Sequence, residues 1–288
     1  MPDSSKAIKR KRLKLNINSL PKRQREILEI VNENGFSPIE SLAQQFEVTP
    51  QTIRRDINKL CEYQLLQRFH GGAGRSSSVE NLDYNNRRNI LYQEKKSIAK
   101  MAAQRIPDRA SLFINLGTTT EEVAKVLTGH KGLKVITNNL NVAMILSSSN
   151  SDSEIMVAGG MVRQRDNGIT GEATVEFIKQ FKVDYGIIGV SGIDEDGTLL
   201  DYDYHEVRIA REIIRNSRNV FLVTDHTKFN RNAMVRIADI SEIDAIFTDK
   251  KPSSSFCDIM KIKEVELYVA ESGQANSSSD ENLTDDDI

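Results

Sequence analysis

From about residue 93 to 270 the chain alternates short apolar runs with amphipathic segments, and this constrains the fold more than any other feature. The apolar runs fall at 112–116, 135–137, 155–158, 185–190, 220–224, 245–248 and 265–269. Helical patterns fall at 94–105, 119–128, 141–147, 174–181, 204–217 and 255–261. Parallel strands need long crossovers, and a strand covered on both faces is apolar along its length. The alternation therefore predicts βαβ units around a mostly parallel sheet, an α/β fold. Such sheets bind ligands beyond the carboxyl ends of their strands, so the loops after the runs are where a site is expected.

Those loops carry polar groups in a recurring way. Gly117, Thr118 and Thr119 follow the first run and lead through Glu121 into a helix. Free N–H groups and hydroxyls at a helix start hold anions, most simply a phosphate. Asn138 and Asn139 follow the second run. Gly159 and Gly160 follow the third, with Arg163 and Arg165 nearby and Gly168, Gly171 and Glu172 beyond. Asp194 follows the fourth, and Asp225, His226 and Lys228 the fifth. One such loop is usually only a turn or a cap. Their recurrence at successive strand ends suits a phosphorylated sugar or polyol. The Asp201–Glu206 cluster contains one imidazole, His205, and no metal-binding spacing. It reads as a solvated carboxylate loop capping the next helix, with no metal and no cofactor expected. His130 and His226 stand alone and read as surface residues.

The first 75 residues read differently. A helix is expected over 21–34, with Gly35 as its stop. Ser37, Pro38 and Glu40 have capping-box spacing before a short amphipathic helix carrying Ile39, Leu42, Ala43 and Phe46. Thr49 is an N-cap residue and Pro50 suits the first helical position. Ile53, Ile57 and Leu60 then fall at i, i+4 and i+7 and mark a buried face. Gln51, Thr52, Arg54, Arg55 and Lys59 remain for other faces, with side chains that pair with base edges and neutralise phosphates. Residues 65–73 read as a β-hairpin wing presenting Arg68 and His70. Three helices and a wing predict a winged helix-turn-helix whose third helix enters the major groove of double-stranded DNA.

A formal net charge of −2 hides this, because the charge is segregated. Lys6, Lys9, Arg10, Lys11, Arg12 and Lys14 crowd one end; Asp280, Glu281, Asp285, Asp286 and Asp287 crowd the other. The expected organisation is a basic arm at 1–18, a DNA-binding domain at 19–74, a linker at 75–92, an α/β effector-binding and oligomerisation domain at 93–270, and an acidic tail at 271–288. In the linker, Arg75, Arg87 and Arg88 are expected to lie against the first domain or the DNA. Cys61 and Cys257 have no partner spacing, which argues against a disulfide framework. No apolar run approaches membrane-spanning length and no apolar core follows the basic start, so a cytoplasmic protein is expected.

With these residues assembled, the chain resembles the DeoR family of bacterial transcriptional regulators over roughly 20–270. The resemblance rests on TPQTIRRD at 49–56, RFHGGA at 68–73, LGTT at 116–119, TNNLNVA at 137–143, AGG at 158–160, GEAT at 171–174, GVSGID at 189–194, DYHEVR at 203–208 and DHTKF at 225–229. The run from TNNLNVA onward is similar to the branch of the family that governs glycerol metabolism. This implies repression of glycerol and glycerol-3-phosphate genes, relief by sn-glycerol 3-phosphate, and a homo-oligomer, a tetramer, on repeated operators. It also implies a sensor domain resembling ribose-5-phosphate isomerase-type folds. Carried over, Gly117, Thr118 and Thr119 contact phosphate, Asn138 and Asn139 line the pocket, and Lys228 faces the ligand. Gly159, Gly160 and Asp194 belong to the same set. Asn115 stands where many members carry an acid, and the isomerases' acidic catalytic run and glycine-rich lysine loop are not evident. Two other readings stay open on the residues: a sugar-phosphate isomerase with a DNA-binding accessory, and an activator instead of a repressor.

Overall fold

The computed structural model describes residues 20–34, 36–63, 65–69, 71–75, 84–149 and 152–270. The basic arm, the acidic tail, Gly35 and His70 lie outside the described residues.

The N-terminal part has three helices, α1 (Lys22–Asn34), α2 (Ile39–Gln45) and α3 (Pro50–Glu62). Their apolar stripes meet in one core containing Ile27, Val31, Leu42, Ile53, Ile57 and Leu60. Strands β1 (Phe36–Pro38), β2 (Leu66–Phe69) and β3 (Gly72–Arg75) form an antiparallel sheet in the order β1-β3-β2. The wing is therefore a hairpin with a third strand. A Cβ at Gly72 would lie 2.4 Å from the Phe36 ring and 2.5 Å from the Ser37 carbonyl, so only glycine allows β1 and β3 to approach. This corrects the capping-box reading. Ser37 lies within β1, Pro38 is the N-cap of α2, and no side chain caps that helix. The Ser37 hydroxyl is buried without a partner.

All seven apolar runs of the C-terminal part form strands of one parallel sheet. They are β4 (Ser111–Ile114), β5 (Lys134–Thr137), β6 (Glu154–Val157), β9 (Val183–Ile188), β12 (Ser217–Val223), β14 (Ala245–Thr248) and β15 (Glu266–Val269), in the order β15-β14-β12-β9-β4-β5-β6. Helices cover both faces, so alternate residues of each strand enter different cores. Leu112, Ile114 and Phe247 pack with α5 (Tyr92–Ala103), α6 (Thr118–Leu127) and α7 (Leu140–Ser147). Phe113, Ile188, Leu222 and Ile246 pack with α8 (Glu172–Ile178), α9 (Tyr204–Arg215) and α10 (Ser254–Ile262).

Three features fall outside the alternation. Strands β7 (Met161–Arg163) and β8 (Gly168–Thr170) form a hairpin. Strands β10 (Gly192–Ile193), β11 (Thr198–Asp201) and β13 (Val235–Asp239) form a small antiparallel sheet. The span read as a linker contains a further helix, α4 (Tyr84–Asn89). No helix of the described residues is long and apolar enough to cross a membrane.

Candidate functional site

Two sites follow from this architecture. At the first, Thr49 caps α3 by accepting a bond from the Thr52 N–H at 3.3 Å, with Pro50 at the first helical position. Ile53, Ile57 and Leu60 are buried, which leaves Gln51, Arg55 and Asn58 exposed at i, i+4 and i+7. Thr52 is half-buried at the helix start. The helix is fixed from behind by Asp56, which accepts from Arg23 Nε at 2.6 Å and from Gln24 Nε2 at 3.0 Å. That buried carboxylate was not singled out in the sequence.

The expected DNA-facing residues are not equivalent. Arg55 is exposed. Arg54 is half-buried with its guanidinium 3.9 Å from Glu40. Lys59 is paired with Glu62 at 2.9 Å, which holds its ammonium above the ordinary lysine range. Arg68 on the wing donates to Asn58 Oδ1 at 3.2 Å and so joins the wing to α3.

The second site is a cleft of about 820 Å³, counting the space open at its mouth. It lies where the strand order reverses, between β4 and β9, at their carboxyl ends. Its floor is the loop into α6. Gly117, the N-cap, has φ +148°, a conformation that favours glycine, and the start of α6 that it introduces lines the cleft. Thr118, Thr119, Thr120 and Glu121 continue that wall; Gly189 and Ser191 follow β9, and Thr224, Asp225 and Lys228 follow β12. The Thr224 hydroxyl is buried with no partner and lies on the cleft wall.

The cleft is rich in buried charge. Burial pushes the Lys228 ammonium down to about 7, against the pull of Asp225. Burial likewise brings Lys95 down to about 8. On the opposite wall burial raises Glu206 to about 7, and the neighbouring Asp201 adds to the effect. Asp201 itself is raised by burial, although Ser191 donates to it at 3.0 Å. Burial alone would raise Asp225, but Lys228, Thr227 and Lys95 hold it below the ordinary carboxylate range. The β7–β8 hairpin is tied across this wall by Arg163, which pairs with Asp166 at 2.7 Å, Asp203 at 2.9 Å and Glu206 at 2.5 Å. The result is a cleft that combines an anion-receptive helix start and lysines with carboxylates and a hydroxyl able to accept from or donate to ligand hydroxyls.

Of the residues expected at the effector site, Gly117, Thr118, Thr119 and Lys228 line the cleft, and five do not. Asn138 is fully buried and donates to the Ile169 carbonyl at 3.2 Å. Asn139 caps α7 and donates to Glu121 at 3.1 Å, so it holds a cleft residue in place. Gly159 accepts from Thr174 through its carbonyl. At Gly160 a Cβ would come within 2.3 Å of Thr174 Oγ1, so close packing explains that glycine. Asp194 lies on an exposed turn and bonds the Glu195 N–H.

Other expectations are also corrected. Asp203 caps α9 as expected, but Asp201 and Glu206 face the cleft instead of water. Arg87 turns to the cleft, 3.9 Å from Asp166, because α4 packs against α6 of the sensor half. His226 is not isolated: its Nδ1 lies 2.5 Å from Asp249. Tyr84 and Lys95 were not singled out and Arg87 was read towards the DNA: Tyr84 and Arg87 sit in a polar stretch with no periodicity, Lys95 lies in an ordinary amphipathic helix, and only the tertiary fold brings the three to the cleft.

Residues 23–79 match the model of the DeoR-like helix-turn-helix domain, and residues 91–250 match that of the DeoR C terminal sensor domain. The glycerol-3-phosphate regulon repressor of Escherichia coli K12 is 49% identical over 245 residues, covering 85% of this chain and 97% of that protein. Its namesake from Haemophilus influenzae is 49% identical over 230 residues, covering 80% and 89%. The transcriptional repressor CsqR of Escherichia coli K12 is 39% identical over 247 residues, covering 86% and 94%. A solved ribose 5-phosphate isomerase from Methanocaldococcus jannaschii aligns with 48% of this chain and 55% of its own, at 12% identity and a TM-score of 0.36. The chain belongs to the DeoR family: it is a transcriptional regulator with a helix-turn-helix half and a sensor half, and not an enzyme.

Proposed function

We propose that this protein represses genes for glycerol and glycerol-3-phosphate metabolism and is released from its operators by a phosphorylated polyol, sn-glycerol 3-phosphate. The observation that carries the reading is the cleft at the sheet's switch point, in a chain 49% identical to glycerol-3-phosphate regulon repressors along nearly their whole length. In this reading the phosphate sits at the start of α6, against Thr118, Thr119 and Lys228. The glycerol hydroxyls face Asp201, Glu206 and Thr224. Gln51, Thr52 and Arg55 read base edges or position the helix on phosphates, with Arg68 supporting from the wing. The protein acts as a homo-oligomer, a tetramer, on repeated operators.

Effector release requires that the ligand bind the operator-free arrangement more tightly than the operator-bound one. Coupling of this kind is typically ~5–150-fold. The test is calorimetry of the full chain with sn-glycerol 3-phosphate, glycerol and fructose 6-phosphate, alongside operator titrations at fixed salt. Binding of the first alone, with weaker operator affinity in its presence, is the expected result. Operator binding indifferent to all three discards the effector.

A further inference from the structure

The cleft is not built by the sensor half alone. Helix α4 lies between the two matched regions, 23–79 and 91–250, and belongs to neither. It nevertheless supplies Tyr84 and Arg87 to the cleft, and the wing supplies Phe69. Each is held by specific contacts. The Tyr84 hydroxyl donates to Glu121 at 2.7 Å and accepts from Asn141 at 2.9 Å. Lys95, only 3% exposed, donates to the carbonyls of Arg87 and Ile90, so it grips the carboxyl end of α4, where a cation is favoured. Arg231 of the sensor half, also 3% exposed, has its guanidinium 5.4 Å from the Phe69 ring centre and 5.4 Å from that of Tyr202. Cation–ring contacts at this range are attractive and strengthen when desolvated. Phe69 is 3% exposed although its neighbour Arg68 on the same strand is solvent-facing.

We propose that the wing and the connecting helix complete the ligand site: α4 and Phe69 form its outer wall, so that filling the cleft and positioning the wing are one equilibrium. Tyr84 and Arg87 then meet the ligand directly. Lys95 and Arg231 act as positioning residues that hold the wall. The ligand's identity rests on the function proposed above, but the wall itself does not. A ligand that contacts Arg87 competes with Asp166 for it, and so changes what fixes α4. Phe69 is itself a wing residue, so a shift of this wall displaces the wing relative to the sensor half.

The chain contains no tryptophan, which makes a single indole a clean reporter. Phe69→Trp in the full chain should emit as a buried indole, and adding Lys95→Met or Arg231→Met should shift the emission towards that of an indole in water. Tyr84→Trp gives the same readout should Phe69→Trp not fold. Solvent-like emission in a folded single-tryptophan chain overturns the proposal, as does buried emission that neither second substitution moves. The ligand arm uses sn-glycerol 3-phosphate and inorganic phosphate, with binding followed by calorimetry on the same variants. A probe that binds and moves the emission supports the shared equilibrium; one that binds and leaves it unchanged overturns it. Should neither probe bind, the proposed effector fails while the double substitutions still decide whether the wall exists.

Discussion

The reading helix and the cleft are both rich in charge, but they hold it in opposite surroundings. On α3, Gln51, Arg55, Asn58 and Lys59 stand in water above a buried apolar stripe. In the cleft, Lys95, Glu121, Asp166 and Asp225 are each less than a tenth exposed. Exposed cations act on a polyanion through displaced counterions, so their effect is governed by salt. Buried groups lose hydration, so their protonation is displaced and their effect is governed by pH and by what neutralises them. The two halves should therefore respond to different solution variables, and substitutions in one should leave the equilibrium binding of the other's ligand largely intact unless they touch the wall between them.

The largest expected effect lies in the cleft. Truncating one partner of a buried charge pair costs roughly 2–5 kcal/mol. Lys228→Met should therefore weaken effector binding by about thirtyfold or more in calorimetry, with operator affinity in the absence of effector unchanged. An equal loss at both sites would erase the contrast. On the reading helix, Arg55→Ala removes an exposed guanidinium, for which about 1–3 kcal/mol of base discrimination is typical. Operator titration should show a loss of roughly tenfold to a hundredfold, larger than for Arg54→Ala, because Arg54 already sits beside Glu40. The reverse order would mean that α3 is rotated from the assigned docking.

A smaller effect separates the halves by pH. An anionic ligand stabilises a charged lysine, so the Lys228 pKa rises on binding. Below about 7 that lysine is already charged in the empty cleft, and the affinity is at its plateau. Above 7, binding takes up a proton, and affinity falls by up to about tenfold per pH unit until the bound-state pKa is passed. Glu206, ionising near 7, adds repulsion in the same direction. Calorimetry between pH 7 and 9, where the phosphate monoester is already largely dianionic, should show this decline with net proton uptake; affinity that rises across that range would contradict the burial of these groups. The smallest effect is Thr49→Ala, which removes the cap of α3 and should destabilise the helix-turn-helix half by about 1 kcal/mol in thermal unfolding.

The parallel sheet was legible because it is written locally. Each strand covered on both faces must be apolar along its length, and all seven runs became strands. The cap and buried face of α3 were legible for the same reason: Thr49, Pro50, Ile53, Ile57 and Leu60 act within one helix. Strand β1 was not, because three residues ending in proline look like a helix entry until β3 pairs with them. The cleft was half legible. Gly117, Thr118, Thr119 and Lys228 sit in strand-end loops, where such folds bind ligands. Asp201 and Glu206 read as a solvated cap, since nothing local says that the β7–β8 hairpin will bury them. Tyr84 and Arg87 lie outside every periodic segment. Asn138 and Asn139 read as ligand-facing because amides suit hydroxyls; their amide N–H groups donate to the protein itself, while the Asn138 Oδ1 is buried with no partner.

The most direct test of the account is a paired operator titration at fixed salt, wild type beside Lys228→Met, with and without sn-glycerol 3-phosphate. The DNA is the region upstream of the glycerol uptake and catabolic genes. Both proteins should bind it specifically and with equal affinity when ligand is absent, and the ligand should weaken binding of the wild type alone. Equal weakening of both proteins would place the effector outside this cleft, and specific binding unaffected by the ligand in either would contradict its assignment as the signal.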